Sequence, residues 1–211
     1  MNKGGIAHRL IAFAKTLVGA LPGGLALINI MSAMLMGAIA GSALASASAM
    51  GSILGPEMEK DGYSKEFGAA VNITSATTGL LIPPSNILIV YSLASGGASI
   101  AALFLAGYIP GILTGTFLMI VASIWAKRKG YKLGNRSSLK EVAKTFFTAL
   151  PSLFMLIVVI GGIVSGIFTA TEASAIAVLY SLVLGFIYKE INLKKLPQIL
   201  LDSSATTAVV M

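Results

Sequence analysis

Between Ile6 and Leu21 the apolar side chains recur at every third or fourth position. Ile6, Leu10, Phe13, Leu17 and Leu21 line up, while His8, Arg9 and Lys15 fall outside the row. This spacing predicts an amphipathic helix that lies in a membrane interface instead of crossing it. Leu21-Pro22-Gly23-Gly24 ends it. From Thr16 to Pro56 no side chain is charged, yet the middle of that stretch, IAGSALASASAMG (Ile39 to Gly51), is mostly Gly, Ser and Ala. Gly24 to the Gly41-Ser42 break leaves room for about 16 helical residues and Ala43 to Pro56 for about 14, roughly 24 and 21 Å of helix. Both fall short of the roughly 30 Å of a hydrocarbon core. Two short arms around a small-residue tip predict a re-entrant helical hairpin; two tilted full spans joined by a tight external turn are the alternative. Irregular backbone at that depth needs protein or a wet cavity around it.

The charged loop EMEKDGYSKE (Glu57 to Glu66) is followed by a second neutral run, Phe67 to Ala126, long enough for two crossings. The first contains Leu81-Ile82-Pro83-Pro84-Ser85-Asn86. Consecutive prolines remove two backbone donors and turn the residue before each away from helix, which predicts a broken helix with carbonyls near Thr78 to Leu81 short of partners. SGGAS (Ser95 to Ser99) turns the chain, and the second crossing runs from Ile100 to Lys127. An amphipathic stretch, Ser138 to Lys144, leads to an outward crossing, Phe146 to Phe168; the turn TATE (Thr169 to Glu172) precedes a return, Ala173 to Tyr188. LPQILLDSSATTAVVM begins an interfacial turn and an apolar helix, so the chain is expected to be part of a longer one. MNKGGIAHRL lacks the marks of a cleaved leader, and none is expected. The expected units are 1–23 (interfacial helix), 24–57 (hairpin), 58–97 (charged loop and broken helix), 98–126 (crossing), 127–145 (basic connection), 146–190 (helix pair) and 191–211 (interfacial segment and helix start).

Composition agrees with the pattern. Hydrophobic residues make up 56% and charged residues 11%, and the mean hydropathy is +0.89, whereas soluble domains carry about 25% charge. The class is an all-α, multi-pass membrane protein. The net charge of +7 does not indicate nucleic acid, because the cations gather beside the apolar spans. Seven of the 15 Lys and Arg fall between Lys127 and Lys144, with Lys189, Lys194 and Lys195 forming a second group. Both groups are expected on the cytoplasmic side. With no Cys, disulfides, thiolate metal sites and Cys nucleophiles are excluded.

Two interrupted elements, the hairpin tip and the Pro-Pro break, point to a transporter binding site. Helix ends at mid-membrane offer amides to anions, and freed carbonyls and hydroxyls offer oxygens to a hard cation such as Na⁺. The oxygens available are those of Ser42, Ser46, Ser48, Thr77, Thr78, Ser85 and Asn86. Small Ser and Ala residues also serve close helix packing, and Ser46 and Ser48 suit that role. His8 beside Arg9 suits headgroup contact, Glu172 suits a helix start, Gly-rich SGGAS lacks the Lys-Ser/Thr of a phosphate loop, and Trp125 and Tyr131 suit interfacial anchoring. An intramembrane hydrolase would need a His, a carboxylate pair or a metal cluster inside the spans, which hold none. The chain is not expected to be an enzyme, and no organic cofactor is expected.

Together with LFLAGYIPGILTG (Leu103 to Gly115), the segments GSALASASAMGSILGPEMEKDGY, GLLIPPSNILIVYS and GGIVSGIFTATEASAIAVLYSLVLG resemble, in order, the large membrane subunit of TRAP transporters, the DctM-like permease family. The resemblance implies an inverted-repeat, ion-transporter-type fold with a re-entrant hairpin, a broken helix and interfacial arm helices. It implies Na⁺-coupled uptake of organic acids, C4-dicarboxylate or sialic-acid-like, across the bacterial inner membrane by an elevator mechanism. The implied partners are a periplasmic solute-binding protein (DctP-like), a small membrane subunit (DctQ-like), the organic acid and the bilayer. By motif match, Gly41, Ser42, Ala43, Gly79, Pro83, Pro84 and Ser85 line a Na⁺ site, and Ser46, Thr78 and Asn86 part of the substrate pocket. Two features depart from the family pattern: its second inverted repeat has no counterpart in this sequence, and Ser46 stands where the pattern has Asp. A non-transporting assembly partner and another carrier of the ion-transporter superfamily are the competing readings.

Overall fold

The computed structural model describes residues 6–131, 134, 137–188 and 196–210. Lys132, Arg136, Lys189, Lys194 and Lys195 of the two expected basic groups lie outside the described residues. Every regular element among the described residues is an α-helix: α1 (Ile6–Val18), α2 (Gly24–Ala40), α3 (Ala43–Lys60), α4 (Lys65–Ala76), α5 (Thr78–Leu81), α6 (Asn86–Ala94), α7 (Ile100–Lys129), α8 (Leu139–Val164), α9 (Ala170–Ile187) and α10 (Leu196–Val210).

The centre of the fold is α2, which packs against α1, α3, α4, α5, α7 and α8. Its buried residues occur on all sides, from Ala26, Leu27 and Ile28 to Met36 and Ile39, as expected of a helix that is apolar all round. Helix α1 is amphipathic, but its buried row is Ile6, Ala7, Leu10, Ile11, Ala14 and Val18. Leu17 and Leu21, placed on the apolar stripe by spacing, are about half exposed. The small Ala7 and Ala14 permit close approach to α2 and α8, so the face that packs is rotated from the one marked by the largest side chains.

Helices α2 and α3 fold back on one another across Gly41-Ser42. Gly37 and Ser46, on either side of the break, both approach Gly79, and farther from it Asn29 and Met58 line one cavity. Gly41 sits in the left-handed region (φ 61°) and closes α2 with an N–H to the Gly37 carbonyl, while the Ser42 hydroxyl accepts the Ala45 N–H to open α3. The second arm continues through Pro56 to Lys60, beyond the proline expected to end it. Pro110 and Pro151 likewise sit inside α7 and α8. The paired prolines do break their helix: α4–α5 and α6 are bent by 50° across Ile82–Ser85, where the Pro83-Pro84 peptide is cis.

Helices α7, α8 and α9 are long and apolar enough to cross a membrane, and the bent pair α4–α5 with α6, counted as one span, is a fourth. Helix α7 calibrates depth. Gly107 meets the Leu81 carbonyl, Gly111 meets Ile82, Gly115 meets Met34, and Ala126 meets Gly23. At 1.5 Å per residue the Pro-Pro break therefore lies roughly 28 Å from the Ala126 level and roughly 10 Å from the start of α7 at Ile100. The far end of α7 closes at Gly130 beside Lys127, Arg128 and Lys129. There Tyr131 stacks on Tyr63 at 4.2 Å and Phe67 on Trp125 at 6.3 Å, so the charged α3–α4 loop and the basic end of α7 lie together. Phe13 of α1 packs on Phe146 at the start of α8, and Arg9 lies over Tyr188 at the end of α9. The described cations are thus gathered at one end of the bundle, the arrangement that the charge rule predicts for a cytoplasmic face.

Helix α8 runs unbroken from Leu139 to Val164, joining the stretch Ser138 to Lys144 and the following crossing into one element. Its capping box pairs Ser138 with Glu141. A second box opens α9: Thr169 Oγ1 accepts the Glu172 N–H, and the Glu172 carboxylate accepts the Thr169 N–H at 2.8 Å. This is the helix-start role expected of Glu172.

Candidate functional site where the hairpin tip meets the broken helix

The tip rests against the Pro-Pro break because the residues at the contact have almost no side chain. A methyl group added at Gly37 would stand 2.3 Å from the Gly79 Cα, and one at Gly41 would stand 2.6 Å from the Pro84 carbonyl oxygen. The backbones therefore touch. The Asn86 N–H, first of α6, donates to the Gly41 carbonyl at 3.3 Å and ties tip to break across the chain. This accounts for the Gly-Ser-Ala run at the middle of the neutral stretch, since larger side chains would hold α3 and α5 apart.

Oxygen atoms crowd this junction. Ser46 is fully buried, its hydroxyl has no hydrogen-bond partner, and it would stand 3.4 Å from a methyl group at Gly79. The Gly79 carbonyl cannot receive the usual bond from four residues on, because that residue is Pro83. The Leu80 carbonyl, opposite Pro84, is satisfied instead by the Ser85 hydroxyl at 2.6 Å. The Thr78 hydroxyl donates to the Ser75 carbonyl at 2.6 Å. Among the described residues no group of three His, Asp or Glu side chains is placed to hold a metal. The junction therefore offers neutral oxygens only, one of them buried without a partner. That donor set suits a weakly held hard monovalent cation or water and would not retain a transition metal.

The structure brings Gly41, Ser42, Ser46, Gly79, Pro83, Pro84 and Ser85 to this one junction, with Thr78 buried one residue before Gly79. Ala43 starts α3 and is half-buried, and Asn86 contributes its backbone while the residue itself is exposed. Ser48 and Thr77 are exposed, and the Thr77 hydroxyl returns to the Thr74 carbonyl. Sequence reasoning missed Asn29 and Ser75. Asn29 is buried, and its side-chain carbonyl accepts the Ser75 hydroxyl at 3.3 Å, which clamps α2 to α4 below the tip. The signal was present: Asn29 is the only side-chain amide between Thr16 and Pro56.

The profile of the family described as "Tripartite ATP-independent periplasmic transporter, DctM component" matches residues 1–211. The chain belongs to this family. It is 57% identical to YgiK of Salmonella typhimurium over its whole length and 48% of that protein. It is 41% identical to the C4-dicarboxylate TRAP transporter large permease protein DctM of Pseudomonas aeruginosa and 40% identical to the sialic acid TRAP transporter large permease protein SiaM of Vibrio cholerae, in each case over all of this chain and 49% of the relative. The chain spans about half the length of the curated relatives it matches. DctM and SiaM are transporter permeases, not enzymes, and family and apolar helices together make this a membrane protein.

Proposed function

We propose that this chain provides one hairpin-and-broken-helix half of a Na⁺-coupled organic-acid permease of the bacterial inner membrane, and that the junction of Gly41, Ser46 and Gly79 is its ion site. The buried, partnerless Ser46 hydroxyl, close to Gly79 of α5, carries this reading, together with the Gly79 carbonyl that Pro83 leaves without its helical partner, because buried oxygens short of partners in an apolar bundle call for a cation or water. The depth set by α7 supports a re-entrant hairpin: the tip stops roughly 10 Å short of the end reached by the spans. The relatives' names support C4-dicarboxylates or sialic acids as the substrate class, and the family's tripartite description supports a periplasmic binding protein and a small membrane subunit as partners. In the implied elevator mechanism the hairpin and broken helix, fixed to each other by the Gly37–Gly79 contact, move as one body.

The test is uptake by the complete gene product in proteoliposomes with its binding protein and small subunit, at graded Na⁺. Ser46→Ala removes one ligand oxygen and should raise the Na⁺ needed for half-activation several-fold, the equivalent of about 1 kcal/mol. Thr77→Ala, at an exposed position, should leave it unchanged. Uptake indifferent to Na⁺, or a Na⁺ dependence unmoved by Ser46→Ala, would sink the assignment.

A further inference from the structure

At the basic end of the bundle a cavity of about 940 Å³ opens between α1, the start of α2, the Asp61–Tyr63 loop and the start of α8. Arg9, Lys15 and Lys144 line it. The Arg9 Nη1 is buried without a hydrogen-bond partner, and the guanidinium is held over the Tyr188 ring, 3.2 Å from its centroid. Stacking engages the face of the guanidinium and leaves its edge donors free. Among the described residues no carboxylate pairs with Arg9, Lys15 or Lys144. Of the two carboxylates on the cavity wall, Glu141 is engaged by the Ser138 N–H at 2.9 Å, which leaves Asp61.

The start of α2 also favours an anion. Helix α2 begins here at Gly23, which has no side chain to cap it, and its first residues, Gly24 and Leu25, form part of the wall, the Leu25 amide facing the Tyr63 hydroxyl. The positive end of a 17-residue helix therefore adds to the field of the three cations.

We propose that this cavity binds the phosphate of a phospholipid headgroup. A lipid fits better than a soluble anion because the cavity lies where the apolar spans end, and the helix that carries Lys144 and Thr145 also presents Leu139 and Phe147 exposed. Acyl chains leaving the cavity would meet apolar surface. Basic pockets between membrane helices on the cytoplasmic side recognise headgroups on this chemistry. The site is independent of the ion junction, since it lies at the opposite end of α2 from the tip.

The experiment uses the complete gene product in detergent. Retained phospholipid is measured by native mass spectrometry, and the thermal shift is measured on adding phosphatidylglycerol, phosphatidylethanolamine or inorganic phosphate. Lys15→Gln with Lys144→Gln should lower lipid retention by roughly five-fold per cation removed; both lysines are exposed, so the elution profile should be unchanged. Arg9→Gln should lower retention further, and Lys127→Gln, outside the cavity, should not. Retention unaffected in the double variant would overturn the proposal, as would an equal loss in Lys127→Gln. Inorganic phosphate reproducing the full stabilisation of either lipid would overturn the lipid assignment and point to a soluble phosphate ligand.

Discussion

Replacing Gly37 by Ala tests the contact on which the junction depends. The new methyl would stand 2.3 Å from the Gly79 Cα and 3.0 Å from its N, whereas ordinary contact begins at 3.4 Å. The opposing atoms are backbone, so no side chain can rotate out of the way, and the two helices must separate by about 1 Å. Overpacking of this kind costs roughly 1–3 kcal/mol, against a gain of about 1 kcal/mol from the better helix propensity of Ala. The same movement stretches the Asn86-to-Gly41 hydrogen bond, already 3.3 Å. The matched control is Gly55→Ala on α3, where nothing lies within 4 Å of the new methyl and only the propensity gain remains. In a domain of this size each kcal/mol moves the midpoint by roughly 2–4 °C. Thermal unfolding in detergent should therefore show Gly37→Ala below the parent and Gly55→Ala at or above it by a few degrees. Gly37→Ala raised above the parent by as much as Gly55→Ala would refute the close backbone contact.

Two other outcomes follow from the local geometry. Thr169→Ala should destabilise by about 1 kcal/mol, because it removes the oxygen that accepts the Glu172 N–H, and Thr169→Ser should restore the midpoint; an unchanged midpoint in Thr169→Ala would remove the capping role. The chain contains no Cys, so single cysteines report topology without background: an impermeant thiol reagent outside intact cells should label Ser95→Cys but not Ser137→Cys, and labelling of Ser137→Cys from outside would invert the assigned orientation.

Local features of the chain are legible in the amino-acid sequence alone. The helix breaks at Gly41-Ser42, Pro83-Pro84 and Ser95–Ser99 each follow from backbone chemistry within a few residues, as do the helix-start role of Glu172 and the separation of charge from apolar spans; the reciprocal bond to Thr169, with the helix opening at Ala170 and not Ala173, came only with the structure. Single prolines are less informative. Pro56, Pro110 and Pro151 leave their helices running, because a missing N–H in a packed apolar helix can be absorbed by its neighbours, and no local rule says which proline will be.

What tertiary structure alone decided concerns partners far apart in sequence. Gly37 meets Gly79, Asn29 accepts from Ser75, and Arg9 lies over Tyr188. The sequence placed Ser46 among small packing residues or ligands without distinguishing them; burial without a donor arises only once α2, α3 and α5 are assembled. Helix α1 shows the same division, since its amphipathic period is visible in the sequence while the packed face is not. Hydrophobic periodicity fixes which elements form, because each residue's preference depends on neighbours within a turn or two. Their mutual rotation and depth are set by the small side chains that let particular backbones touch, and that fit is a property of pairs of helices, absent from either one alone.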